Sequence, residues 1–448
     1  MNSCRQTDAA SLPHSNRAPV GLAGASGGAM DRRIGRLRLL PGLALLAAAL
    51  SVPLHAQQAG AVYTQCKGDT NGDSVPDAPA DVDGDGVNDR VRCVHLSGGD
   101  GFVTMADGRP LYIFGFSNLT GTAPAQAMDT GALAANFPAP TIVLDEGDHF
   151  FLNLTNVGMT LRPDLSDPHS VHFHGFPNAA PVFDGTPENS IATNMGSTLT
   201  YYYKLVEPGT YMYHCHVEAT EHMQMGMLGN LYVRPRQNGT SIGGFHTFAY
   251  NDGDGSTGYD VEYPIQIGSF DPEFHDASEN VQPLPFASMK DRYAMLNGRG
   301  YPDTVNPAPL TTPTDRNCSG PGSPCQPSQP VSSLIEAGVG QRILLRISNL
   351  NVTRFYTLAS TIPMRVVGHN ARLHRGPTGT DLYYQTNSVT LGGGESVDVI
   401  LETGGTTGVG AGTYLLYTTN LNYLSNDAED LGGMMTEIRI TGGTGGGE

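Results

Sequence analysis

The sequence predicts an all-β protein built from two β-sandwiches, and three observations carry that expectation. Its 448 residues include 57 Gly and 31 Pro but only 15% charged residues, a length suited to more than one domain and a turn content unsuited to a helical bundle. Segments such as FPAPTIVLDEGDHFFLNLTN (137–156) alternate apolar and polar residues with the period of a strand. Two segments also recur: GDHFFLNLTN (147–156) returns as GQRILLRISN (340–349), and GTYMYHCH (209–216) returns as GTYLLYTT (412–419). Each pair marks corresponding strands of two related domains, placed at 98–237 and 255–442. The segment between them, RQNGTSIGGFHTFAYNDGDGSTG, is a linker by composition.

Lys and Arg total 25 against 43 Asp and Glu, a formal charge of -18. Nothing draws such a surface to phosphate backbones or anionic lipid, so no nucleic acid partner is expected. From Met30 the chain reads MDRRIGRLRLLPGLALLAAALSVPLHA, a cationic start, an apolar run broken by Pro41 and a small residue, Ala56, at a cleavage point. Residues 1–56 are therefore read as leader and export signal, with the signal at 30–56 and translation beginning at Met30. No second apolar run reaches the length of a bilayer span, so the mature form is expected to lack a transmembrane segment and to be periplasmic or secreted.

The cysteines fit an oxidising compartment. Cys66 and Cys93 bracket an acidic segment, Cys318 and Cys325 bracket the loop NCSGPGSPCQ, and Cys4 precedes the signal; two local disulfides then leave Cys215 over. Within the acidic segment, assigned to 57–97, two loops carry oxygen ligands at alternate positions: Asp69, Asn71, Asp73 and Asp77, then Asp81, Asp83, Asp85 and Asp89. With glycines for the sharp turns, this is calcium spacing, similar to the aspartate repeats of thrombospondin type 3 and dockerin modules.

Six His fall in two clusters, His169, His172 and His174 in DPHSVHFHG, then His214, His216 and His222 in YMYHCHVEATEHMQMGM. On a strand, residues two apart share a face, so His172 and His174 point one way and His214 and His216 point together with Cys215 opposite. Two sites follow. The inner one gathers His169, Cys215, His222 and Met227, the two imidazoles, thiolate and weak thioether that hold type 1 copper. The outer one offers four imidazoles, and Cys215 is bonded through the chain to two of them.

With these motifs the chain resembles the multicopper oxidase family, within the cupredoxin fold. FPAPTIVLDEGD, the run from His169 to His174, the His214-Cys215-His216 triplet, the interval from His222 to Met227 and NGRGYPDTVNP (297–307) carry the similarity. The resemblance implies two cupredoxin-like Greek-key β-sandwiches with a short N-terminal acidic calcium-type segment. It assigns His169, Cys215, His222 and Met227 to type 1 copper, His172 to a type 2 ion, and His174, His214 and His216 to type 3 ions. One departure is that seven residues separate Cys215 from His222 where laccases use five, which leans toward copper nitrite reductases. In that comparison His369 falls on a catalytic His of the reductases, and His172 on an Asp.

The second domain lacks the expected imidazoles: its counterpart of the triplet reads Tyr417-Thr418-Thr419. Three readings follow. The first is an oxidase passing electrons from a reductant, a metal ion or a phenol, to dioxygen, with further imidazoles from another chain of a homo-oligomer or from His246, His275, His369 and His374. The second is a nitrite-reductase-like enzyme, and the third a copper electron carrier or copper-holding protein without catalysis. The first is adopted, because electron transfer alone needs only the inner site.

Overall fold

The computed structural model describes residues 62–311 and 327–442; Gln58–Glu448 form one compact unit. The segment expected to be an export signal, Cys4, Cys318 and Cys325 lie outside the described residues.

The first sandwich has two four-stranded sheets. One orders β2 (Pro110–Asn118), β1 (Val91–Thr104), β4 (His149–Gly158) and β6 (Thr198–Lys204); the other orders β3 (Ala139–Asp145), β8 (Leu228–Arg234), β7 (Gly209–His214) and β5 (His172–Phe173). Alternation does the sorting: along β4, Phe150, Leu152 and Leu154 enter the core between the sheets, while Asn153 turns outward to accept from the Gln65 N–H. Two short helices interrupt the strands, α1 (Ala127–Gly131) and α2 (Ala219–Gln224).

The second half repeats this plan. After a small hairpin of β9 (Thr247–Phe248) and β10 (Gly258–Tyr259) come β11 (Val261–Phe270), the helix α3 (Pro272–Glu279) and β12 (Tyr293–Leu296). The pair β13 (Leu310–Thr311) and β14 (Pro327–Gln329) follows, then β15 (Ile335–Gly338), β16 (Arg342–Asn349), β17 (Tyr356–His369), β18 (Arg372–Leu373), β19 (Tyr384–Leu391), β20 (Glu395–Glu402), β21 (Gly412–Thr418) and β22 (Met435–Thr441). The repeated sequence segments occupy equivalent places. β4 runs parallel to β1 and antiparallel to β6, as β16 does to β11 and β20. β7 and β21 each pair with the strand that follows, β8 and β22. β17 serves both layers, pairing with β21 through residues 358–360 and with β20 through 364–369.

Polar side chains buried between the halves join them. Arg346 is fully buried, 3.0 Å from Glu262 and 3.7 Å from Asp398, with Thr210 of β7 bridging the Arg346 and Asp398 side chains. Ser348 donates to Asn230 at 2.6 Å. Such groups are retained only where each finds a partner, which fixes how the sandwiches dock.

Two boundaries differ from the sequence expectation. The first sandwich begins at Val91 rather than at residue 98, because β1 pairs in parallel with β4 along its entire N-terminal half. Part of the expected linker is the β9–β10 hairpin, whose turn is capped by Asp252 accepting from the N–H groups of Gly255 and Thr257.

Candidate metal centres

The sequence around Cys215 folds so that three donors converge in the core. β7 ends at His214, and Cys215 stays in register by donating its N–H to the Met227 carbonyl at 3.1 Å. The chain then turns through Glu218, whose φ of 46° is left-handed, into α2, which fills the seven-residue interval and carries His222 inward. His169, bridged by its backbone to Thr193, enters from the other side. Cys215 Sγ lies 3.2 Å from His222 Nδ1 and 3.9 Å from His169 Nδ1, and all three residues have no solvent exposure. Met227 is equally buried. A Cβ at Gly98 would come within 2.8 Å of the His169 ring and 3.4 Å of the Met227 methyl, so β1 approaches this pocket only because that residue is glycine.

Burial alone would raise the Cys215 thiol, but the facing imidazoles of His222 and His169 override it and hold the group well below the usual thiol range. The Ser170 N–H also points at the sulfur, 3.4 Å away. A thiolate and two imidazole nitrogens enclosed by apolar side chains are a soft donor set fit for copper. Asp167, 3.8 Å from His222 Nε2, backs the ring on its far side; only its position two residues before His169 hints at that role in the sequence.

The outer set lies across the backbone of the same residues. Neighbouring rings among His172, His174, His214 and His216 sit with centroids 5.0 to 5.5 Å apart. His172 pairs with His214 across β5 and β7, whereas His174 lies in the turn after β5 rather than on a regular strand. His172 Nδ1 meets the Asp184 carbonyl at 2.6 Å and His214 Nδ1 meets the Cys215 carbonyl at 2.7 Å. A carbonyl can only accept, so both rings carry the proton on Nδ1 and present the Nε2 lone pair. His174 likewise bonds the Gly394 backbone. The Nε2 atoms of His174 and His214 then face each other at 2.9 Å. Burial and the neighbouring imidazoles hold the His214 pKa near 3 and lower that of His174, so both stay neutral at physiological pH. Two imidazole nitrogens this close, with His172 beside them, form a donor group that fits a metal ion.

His174, His214, His216 and Met223 form one wall of a cavity of about 410 Å³. The facing wall comes from the second sandwich, from Asn351, Thr353, Arg354, Phe355 and the turn at Gly393–Gly394. Gly394 has φ of 90°, and a Cβ there would meet the His174 ring at 2.7 Å. The outer imidazoles therefore face the second half of the same chain. None of the four further His expected as donors lines this cavity. His275 is buried with its ring nitrogens on the Tyr112 and Gln224 carbonyls, His369 and His374 stack on each other at 4.9 Å, and His246 is exposed. Strand pairing explains the poverty of the second sandwich: Ala359 opposes Tyr417 where His172 opposes His214. Arg354 and Gly394 were missed by sequence reasoning; neither stands in a motif.

In the acidic segment, tied by the Cys66–Cys93 disulfide, Asp69 accepts from the N–H groups of Gly72 and Ser74, and Asp81 from those of Gly84 and Gly86. The two loops thus share one turn. Oxygens of Asp81, Asp83 and Asp85 lie within 4.8 Å of one another.

Two β-sandwiches with a buried His-Cys-His set at one end define a cupredoxin-type protein. Residues 121–238 match the family model described as multicopper oxidase. It is 36% identical over 104 residues to a laccase of Aspergillus fumigatus and 28% identical over 165 residues to a copper-containing nitrite reductase of Neisseria meningitidis. These segments cover 23% and 36% of this chain, and 16% and 35% of the two relatives. Among solved structures, the blue copper oxidase from Nitrosomonas europaea superposes with a TM-score of 0.54 at 20% identity, covering 77% of this chain and 85% of that one, which supports the fold. No helix among the described residues is long and apolar enough to cross a membrane.

Proposed function

We propose that this chain is an exported copper-dependent oxidase of two cupredoxin domains, in which His169, Cys215, His222 and Met227 hold type 1 copper and His172, His174, His214 and His216 hold type 2 and type 3 copper. Copper at the inner set would accept single electrons from a reductant, a metal ion or a phenol, and copper at the outer set would pass them to dioxygen. The observation that carries this reading is the position of Cys215: its sulfur lies between two imidazole nitrogens, and its chain neighbours His214 and His216 belong to the outer cluster. Electrons thereby have a covalent route from one site to the other. Full burial of Cys215, His169, His222 and Met227 excludes water from the sulfur, and carbonyls of Asp184 and Cys215 hold the rings of His172 and His214 in the ligating tautomer. The acidic surface favours cationic reductants. The two aspartate loops are proposed as calcium sites. Outer donors beyond these four would come from another copy in a homo-oligomer.

A second reading, a nitrite-reductase-like enzyme with a smaller outer site, is favoured by the lack of imidazoles on the facing wall. His214→Ala and His174→Ala test the shared mechanism. Both variants should keep the inner-site colour, because their rings lie opposite the Cys215 sulfur, and lose turnover. Turnover unchanged in both would leave only an electron carrier.

A further inference from the structure

The cavity wall facing the outer imidazoles is built against binding a cation. Asn351 is committed elsewhere, its oxygen accepting from Ser269 at 2.6 Å and its nitrogen donating to Asn349 at 2.6 Å. Thr353 donates to Asp291 at 2.7 Å, and the Gly394 N–H donates to the Asn349 carbonyl. The polar group that remains is Arg354. Its guanidinium stacks over Tyr423, 5.4 Å from the ring centre, and Nη1 donates to the Tyr423 hydroxyl, which fixes the group while leaving further N–H donors free. No carboxylate among the described residues forms an ion pair with it. Asp291, whose charge it senses, already accepts from Thr353 and Gln224.

A held guanidinium across the cavity from imidazoles proposed to hold a metal ion leaves two positive groups on opposite walls once that ion is bound. Such a space is filled most favourably by an anion, and the planar fork of an arginine suits an oxoanion. We infer that Arg354 makes the outer cavity an anion-binding site, which takes a small inorganic anion between its guanidinium and the metal ion held by the imidazoles. This inference rests on the reading of those imidazoles as copper ligands. It gives the second sandwich a task its sequence otherwise lacks, that of selecting what reaches the outer metal by charge rather than supplying ligands.

The test uses the copper-loaded full chain, titrated with azide and with nitrite while the electron paramagnetic resonance signal of the non-blue copper is followed. Free imidazole, a neutral ligand, serves as control. Arg354→Gln should weaken both anions roughly 10- to 100-fold, the scale of a lost charge-assisted hydrogen bond, with imidazole affinity unchanged. Arg354→Lys, which keeps the charge, should recover part of the loss. Equal anion affinity in wild type and Arg354→Gln overturns the inference, and so does an equal loss for imidazole, which would mark a structural effect. Absence of any non-blue signal beside intact blue copper overturns the copper reading of the outer site instead, and this inference with it.

Discussion

The Nδ1 atom of His222 lies 3.2 Å from the sulfur of Cys215, although the two belong to different elements, a strand end and a short helix. That approach turns a leftover cysteine into a thiolate inside an apolar core. It also places the flanking His214 and His216 where they can join a second imidazole cluster, so one stretch of backbone organises both sites.

Calcium should order residues 66–93. Eight oxygen-bearing side chains crowd into two loops whose backbone turns are already capped by Asp69 and Asp81, and their mutual repulsion is relieved by a hard cation. Limited proteolysis around Asp77 should be slow with calcium and fast with chelator, while the copper colour stays. Equal cleavage in both conditions would reduce the segment to a solvated linker.

Arg346 should be a stability residue rather than a catalytic one. Replacing it with Leu leaves Asp398, itself 1% exposed, with only the Thr210 and Tyr250 hydroxyls and no cation, while Glu262 keeps Arg234. Removing one partner of such a buried pair costs about 3–5 kcal/mol. Urea unfolding should show a loss of that order; a loss under about 1 kcal/mol would contradict the docking role assigned to the network.

His95 should make the protein acid-sensitive. Its ring is buried on β1 against Thr155, and burial holds its pKa down at about 4 against a free value of 6.5. Both states are neutral above pH 6.5. As pH falls from there toward 4, the unfolded chain takes up a proton that the folded chain refuses, so stability declines, by up to ~3 kcal/mol from this group. His95→Gln should flatten that part of the stability profile; an unchanged slope would remove His95 as its source.

Much of this was legible in the sequence, for identifiable reasons. The repeats at 147–156 and 340–349 reveal the two sandwiches because both are central strands, where alternation is strict on two packed faces. The meeting of His169, Cys215 and His222 was legible because an unpaired Cys flanked by His is rare chemistry on any strand. What escaped depends on contacts distant in the chain. The start of the first sandwich at Val91 follows from parallel pairing with β4, more than fifty residues away. Arg354 acquires meaning only when the loop after β16 is laid across the outer imidazoles, and the role of Gly394 appears only where the His174 ring would strike a Cβ. The position of His174 in a turn shows the limit of strand arithmetic near a strand end.

The central claim, that Cys215 and its neighbours hold two kinds of copper, is tested most directly by the copper content of the mature protein together with its visible and electron paramagnetic resonance spectra. The account predicts more than one copper per chain, an intense thiolate-to-copper band that vanishes in Cys215→Ser and His169→Ala but survives His172→Ala, and a separate non-blue signal. A colourless copper-loaded wild type, or a blue band that persists in Cys215→Ser, would contradict it.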